Sequence, residues 1–353
     1  MLAYKCPRCK GTLKQDSQSF ECAQCASVYP VVDGIADFRL YPDPYIDLEA
    51  DRAKGLHLAE KARDLSFKEL VDYYYSITPE VPADLAKHYT AHHVAGVVRG
   101  QGVLERIRHY GLIDKSYVPE MIMDLGCGTG GMLAAVGTAF GAATIGVDIA
   151  FRWLIVARKR LQELGCTNIE LVCACADYLP FDHDIADLIL AENLIEHVKD
   201  TETLFSEIER VRKTRSALIA RTVNRYALGP EPHVGVWGVG YLPRALMNQY
   251  VQLVKKIPYE HIHLHSHGSL NLALRAAACK DLKVRRAALM PADYEHHAGW
   301  KKTVFKTFDR ISRISGPAEP LFTTIGPYLD VTNAKALTFE QNTTSPELAA
   351  HHR

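Results

Sequence analysis

The sequence lacks net charge: 41 lysines and arginines balance 41 aspartates and glutamates. That excludes a global basic field able to draw the chain onto nucleic acid or an anionic membrane, though not a local patch. It also lacks any run of about 18 apolar residues, so a transmembrane helix is not expected. The opening Met1-Leu2-Ala3-Tyr4-Lys5 has no apolar core of a secretion signal. Cysteine is present but uneven. Four of the nine form two pairs near the start, while Cys127, Cys166, Cys173, Cys175 and Cys279 are scattered. This usage suits reduced thiols, and a cytoplasmic location is expected. A chain of 353 residues exceeds the usual single domain. One large domain with small appendages is the natural reading.

The cysteine pairs carry the first chemical signal. Cys6-x2-Cys9 is followed by twelve residues and then Cys22-x2-Cys25. Each pair makes a tight knuckle aiming two thiolates at one tetrahedral ion, so Cys6, Cys9, Cys22 and Cys25 are read as ligands of one structural zinc. Two disulfides are the alternative, disfavoured without a secretion signal. Four thiolates leave no open coordination position for catalysis. A unit of about 40 residues needs such a staple to fold, and residues 1–40 are assigned to it. The stretch Cys22 to Phe38, with Tyr29-Pro30-Val31-Val32-Asp33-Gly34-Ile35, resembles the small zinc-ribbon proteins that activate certain tRNA, rRNA and protein methyltransferases. The resemblance implies a hairpin after the second knuckle, and Asp33-Gly34 suits its turn. It also implies a role in packing or substrate presentation.

Tyr41-Pro42-Asp43-Pro44 breaks regular structure. Residues 41–116 then read as a helical linker or lid, with helices over 47–75, 83–99 and 102–110. Tyr73, Tyr74, Tyr75, His88, Tyr89, His92 and His93 crowd its middle. Packing between helices is the plain reading for each; lining a ligand pocket is the functional one.

Residues 119–131 run from an apolar strand into Asp124-Leu125-Gly126-Cys127-Gly128-Thr129-Gly130 and a helix. Glycines allow a sharp turn and close backbone approach to a ligand, and the helix beyond presents free N–H groups. A second strand ends on Asp148, placed to accept hydrogen bonds from ribose hydroxyls. Ala176-Asp177-Tyr178-Leu179-Pro180-Phe181 follows a third strand, and Glu192-Asn193-Leu194-Ile195-Glu196-His197 a fourth. Together these resemble the ordered motifs of class I methyltransferases. The resemblance implies an α/β fold: a seven-stranded, mainly parallel Rossmann-like sheet with helices on both faces, over residues 117–338. It implies S-adenosyl-L-methionine as cofactor, held by Asp124, Gly126, Cys127, Gly128, Gly130, Asp148, Ile149, Ala176, Asp177, Tyr178, Glu192 and Asn193. Residues 339–353 read as a loose tail.

The acceptor side is expected in an insertion over 225–268, dense in glycine, proline and aromatics. His233 is the first candidate for a base, followed by Glu192 and His197. Tyr241 and Trp237 are read as shaping the pocket, and Arg244 as meeting an anionic group. His261, His263, His265 and His267 alternate, so on a strand four imidazoles would face one way. A solvated face is the default for that row and a metal site the alternative. Balanced charge and an aromatic lid favour a small or medium-sized metabolite as acceptor. RNA or protein is the alternative suggested by the ribbon, although no N-P-P-Y-type motif follows the fourth strand. A catalytically inactive cofactor-binding module is the third reading.

Overall fold

The computed structural model describes residues 3–114, 117–294, 300–314 and 316–334. The expected tail, 339–353, lies outside them. Four short strands open the chain: β1 (Leu13–Gln15), β2 (Ser19–Cys22), β3 (Val28–Val32) and β4 (Ile35–Asp37). They pair antiparallel in sequence order. The Asp33-Gly34 turn has positive φ at both residues, 48° and 77°, as a tight hairpin requires.

Helices α1 (Leu48–Lys61), α2 (Phe67–Ser76), α3 (Ala83–Val94) and α4 (Gly96–His109) follow. The first expected helix is split because Ser66 and Glu69 form a capping box that starts α2 afresh. The expected break near Gly100 is absent, and α4 runs straight through it. There the glycine serves close packing. A Cβ on Gly100 would lie 2.6 Å from Ala135 Cβ and 3.2 Å from Met132 Cα.

Alternating strands and helices build the central layer: β5 (Met121–Leu125), α5 (Gly131–Phe140), β6 (Ala143–Asp148), α6 (Phe151–Glu163), β7 (Ile169–Cys173), β8 (Ala186–Glu192), α7 (Thr201–Val211) and β9 (Arg212–Val223). The insertion holds a two-stranded pair, β10 (Pro230–Glu231) and β11 (Val236–Trp237), and α8 (Arg244–Lys255), around Val234, Val236, Met247 and Val251. Then come α9 (His267–Ala276), β12 (Leu282–Arg286), α10 (Pro291–Tyr294), α11 (Trp300–Ile314), α12 (Glu319–Ile325) and β13 (Tyr328–Asn333). The last three helices correspond to no element read from the sequence.

The strand order β7-β6-β5-β8-β9-β13-β12 contains the seven expected strands. Five are parallel, and β13 runs antiparallel to both neighbours. Successive residues of these strands face two cores. Ile122, Leu188, Leu190 and Ile219 pack with Val103 and Ile107 of α4. Met123, Ile189, Ala191 and Ala220 pack with Phe205 of α7 and Leu270 of α9.

The sheet does not stop at β7. β4 pairs parallel with it, Ala36 opposite Val172 and Asp37 opposite Cys173, so the four ribbon strands extend the sheet to eleven. An open sheet edge invites such pairing. Tyr4, Phe20 and Phe38 cover the junction against Phe181, with ring centroids 4.9 to 5.9 Å apart. No helix among the described residues is long and apolar enough to cross a membrane.

Candidate active site

The two knuckles bring the four ribbon cysteines together. In each, a residue with positive φ follows the second cysteine: Lys10 at 61° and Ala26 at 55°. Their amides return to the carbonyls of Cys6 and Cys22 at 2.7 and 3.0 Å. The four sulfurs lie within 4.8 Å of one another, with Cys6–Cys25 at 3.6 Å and Cys9–Cys22 at 3.5 Å. Thiolates about 2.3 Å from a tetrahedral zinc stand about 3.8 Å apart. The donor set fits that ion.

The glycine-rich loop sits at the carboxyl end of β5. Gly126 and Gly128 have φ of 72° and 50°, and no atom lies within 4 Å of where a Cβ on Gly128 would point. The loop thus leaves bare backbone beside open space. The amides of Gly126 and Cys127 bond to Val147 O at 2.8 and 3.0 Å, and the Gly128 amide to Asp148 Oδ2 at 2.7 Å. Burial lifts Asp148 to about 6, against the opposing pull of the Ala150 and Gly128 amides. Burial, with Glu192 and Asp148 nearby, pushes Asp124 well above the carboxylate range. Asp124 Oδ2, Glu192 Oε1 and Asn193 Oδ1 are buried acceptors with no hydrogen-bond partner. Such orphaned atoms at one strand edge suit a ligand that brings donors. Of the remaining expected cofactor residues, Ala176 is buried, and Ile149 offers its carbonyl to Arg39 at 3.0 Å. Asp177 accepts the Tyr41 hydroxyl, and the Tyr41 ring meets Tyr178 edge-on at 6.3 Å.

Sequence reasoning missed what braces this edge. Arg39, just past β4, is fully buried and binds Asp37 and Asp51, both at 2.6 Å. Arg152 binds Asp51 at 2.7 Å and Asp43 at 2.9 Å. Asp51 also accepts the Phe151 amide at 2.8 Å. The network links ribbon, α1 and the loop after Asp148. Isolated charges in sequence gave no sign of it. Helix α3 touches both the glycine loop and the insertion: His93 Nδ1 stands 3.4 Å from Thr129 Oγ1, and the Tyr89 hydroxyl 3.4 Å from the His233 carbonyl. His93 stacks with Tyr75 and lies 4.6 Å from the Trp153 ring.

On the acceptor side the structure joins His197 and His233, ring centroids 5.0 Å apart, and adds Glu196 and Glu231. Glu231 accepts His233 Nδ1 at 2.5 Å. Burial opposes charge on this imidazole, but Glu231 and Glu196 outweigh it and raise its pKa. Burial lowers His197 to about 3, so its ring is neutral. Glu192 is bound to Arg106 at 2.5 Å.

The other expected residues make contacts of their own. Tyr241 is 53% exposed, and its hydroxyl bonds to the Tyr226 carbonyl at 2.7 Å. Trp237 is also exposed, and Arg244 holds the Leu264 carbonyl at 3.1 Å. The four alternating histidines do not form a strand face. Residues 261–266 are irregular, with a single bridge from His265 to Asn224. His261 meets Tyr45, His265 turns in to Thr201 at 3.2 Å, and His267 starts α9 beside Asn271. Alternation predicts one face only where a continuous ladder holds the backbone extended.

A parallel sheet with a glycine-rich loop and acidic residues along its carboxyl edge defines a Rossmann-like nucleoside-binding domain. Residues 123–220 match the methyltransferase domain family, and residues 5–34 match the Trm112p-like protein family. The chain thus carries a methyltransferase domain behind a Trm112p-like ribbon. It is 30% identical over 94 residues to phosphoethanolamine N-methyltransferase 2 of Caenorhabditis elegans, covering 27% of this chain and 22% of that protein. It is 34% identical over 109 residues to the ubiquinone biosynthesis O-methyltransferase of Thiobacillus denitrificans, covering 31% and 46%. The chain spans less than half the length of these curated relatives. Haemonchus contortus phosphoethanolamine N-methyltransferase 2, solved with S-adenosyl-L-methionine, is similar at 18% identity with a TM-score of 0.45, covering 67% of this chain and 52% of that one.

Proposed function

We propose that the protein transfers a methyl group from S-adenosyl-L-methionine to a small or medium-sized metabolite. The observation that carries this is the bare Gly126–Gly128 backbone flanked by Asp124 and Asp148. It can cradle a nucleoside without a phosphate partner. Asp148 takes the ribose hydroxyls, Asp177 the adenine edge, and the unpartnered acceptors of Asp124, Glu192 and Asn193 face the remaining donors. When bound, the cofactor supplies an electrophilic methyl group on a sulfonium. The chain's own part is alignment and exclusion of water. His93 and Tyr89 on the lid reach the glycine loop and the acceptor insertion respectively, so one helix can cover both ends of the cleft.

On the acceptor side, His233 is the residue placed to take a proton. Glu231 holds its Nδ1, which leaves Nε2 free, 3.9 Å from Glu196 Oε1. Glu192 positions rather than deprotonates, through its bond to Arg106. Two relatives, the phosphoethanolamine N-methyltransferase and the ubiquinone biosynthesis O-methyltransferase, favour a small acceptor here as well. The ribbon staples the sheet edge with one zinc on Cys6, Cys9, Cys22 and Cys25. The test is incubation with labelled cofactor and fractionated cell extract, followed by mass analysis of the labelled product. Label in a low-mass metabolite supports the reading; label only in RNA or protein overturns the acceptor class, and no label overturns catalysis.

A further inference from the structure

Glu196 lies in a short turn after β8 with its side chain fully buried. Its Oε2 accepts the Thr222 hydroxyl at 2.7 Å, and its main-chain carbonyl accepts the His263 amide at 2.7 Å. The first contact fixes the carboxylate and the second the backbone that carries it. Its Oε1 has no hydrogen-bond partner and lies 3.9 Å from His233 Nε2. That gap is too long for a hydrogen bond. It suits two ligands of one ion, which stand about 3–4 Å apart when each is about 2.1 Å from the metal. The His197 ring completes the group, and one ligand atom from each of the three residues lies within 4.8 Å of the others.

The second layer points the same way. Glu231 accepts from His233 Nδ1 at 2.5 Å. With the proton on Nδ1, Nε2 presents a lone pair toward Glu196. A carboxylate behind the outer nitrogen of an imidazole is the recurrent way to orient a metal-binding histidine. A buried carboxylate oxygen facing a half-buried imidazole nitrogen across such a gap is balanced by a cation or a proton between them.

We propose that Glu196, His197 and His233 bind one divalent first-row transition metal, distinct from the ribbon's zinc. Two imidazoles and one carboxylate suit such an ion and leave coordination positions open. Resting on the methyl-transfer reading, those positions would receive a hydroxyl of the acceptor. Coordination lowers the pKa of a bound O–H. The proton leaves to solvent water, the oxygen forms a bond to the methyl carbon, and the carbon–sulfur bond breaks with its electron pair passing to sulfur. His233 is then a ligand, and its role as proton acceptor belongs to the metal-free protein.

The test uses Mn2+, a hard ion that a four-thiolate ribbon takes poorly. Protein carrying one zinc per chain, held by the ribbon, is titrated with Mn2+, and free Mn2+ is read by electron paramagnetic resonance. One Mn2+ per chain is expected to bind beyond the resident zinc. Glu196→Gln and His233→Ala should each weaken it at least tenfold, and Glu231→Gln by roughly 10–100-fold through the outer layer. Uptake of S-adenosylhomocysteine by calorimetry shows that each variant is folded and reports separately on the cofactor reading. No Mn2+ uptake by the unaltered protein overturns the site, as does uptake that folded variants leave unchanged. Neither result touches methyl transfer through His233 as base.

Discussion

The Gly128 amide donates to Asp148 Oδ2 at 2.7 Å, so the glycine-rich loop and the acidic end of β6 hold each other in shape without a ligand. The other oxygen, Oδ1, accepts the Ala150 amide at 2.8 Å. Both nevertheless fail to offset burial, and Asp148 stays at about 6.

Cofactor affinity should therefore depend on pH. On the proposed reading, ribose hydroxyls would donate to the ionised carboxylate, so binding would lower the Asp148 pKa. Affinity is fully present above about 6 and is lost as pH falls through that value. Calorimetry with S-adenosylhomocysteine should show roughly tenfold weaker binding at pH 5 than at pH 7. Asp148→Asn should bind weakly at both, with the pH dependence gone. A flat profile in the unaltered protein would contradict the ribose assignment.

Arg39 ties the ribbon to the site through Asp37, Asp51 and the Ile149 carbonyl. Arg39→Met would leave two buried carboxylates short of a partner. A loss of about 3–5 kcal/mol in urea unfolding is expected. A loss under about 1 kcal/mol would show that Arg52 and Arg152 suffice.

Zinc removal should reach beyond the ribbon, because β4 is hydrogen-bonded to β7 and Phe38 packs against Tyr4 and Phe20. Chelation, or Cys22→Ser, should lower the melting temperature of the whole chain in one transition. A separate low-temperature transition, with the main one unmoved, would mean that the ribbon folds independently of the sheet.

Gly100→Ala sets two effects against each other. Alanine favours a helix by about 1 kcal/mol over glycine. Its Cβ would sit 2.6 Å from Ala135 Cβ, and overpacking costs about 1–3 kcal/mol. Net destabilisation by denaturant titration is expected; a stabilised variant would show that α4 can move off α5.

These residues also show what the sequence made legible. The strands from β5 to β9 were readable because each is an apolar run ending in a distinctive turn, and Asp124, Gly128 and Asp148 fell at their ends by register alone. The clustering of the ribbon's four cysteines is legible in their spacing. Gly100 misled because a glycine that permits close helix packing looks the same in sequence as one that ends a helix. Arg39, Asp51 and Arg152 are separated by 12 and 101 positions, and nothing local marks their meeting. In sequence Glu196 is one residue of the motif after the fourth strand. Its isolation from donors emerges only once Thr222, His233 and Glu231 are brought round it from β9 and the insertion.

The most direct measurement is a calorimetric titration of the zinc-loaded chain with S-adenosylhomocysteine at neutral pH. One equivalent should bind, and Asp148→Ala should sharply weaken it. Absence of any uptake at saturating ligand would contradict the account at its centre.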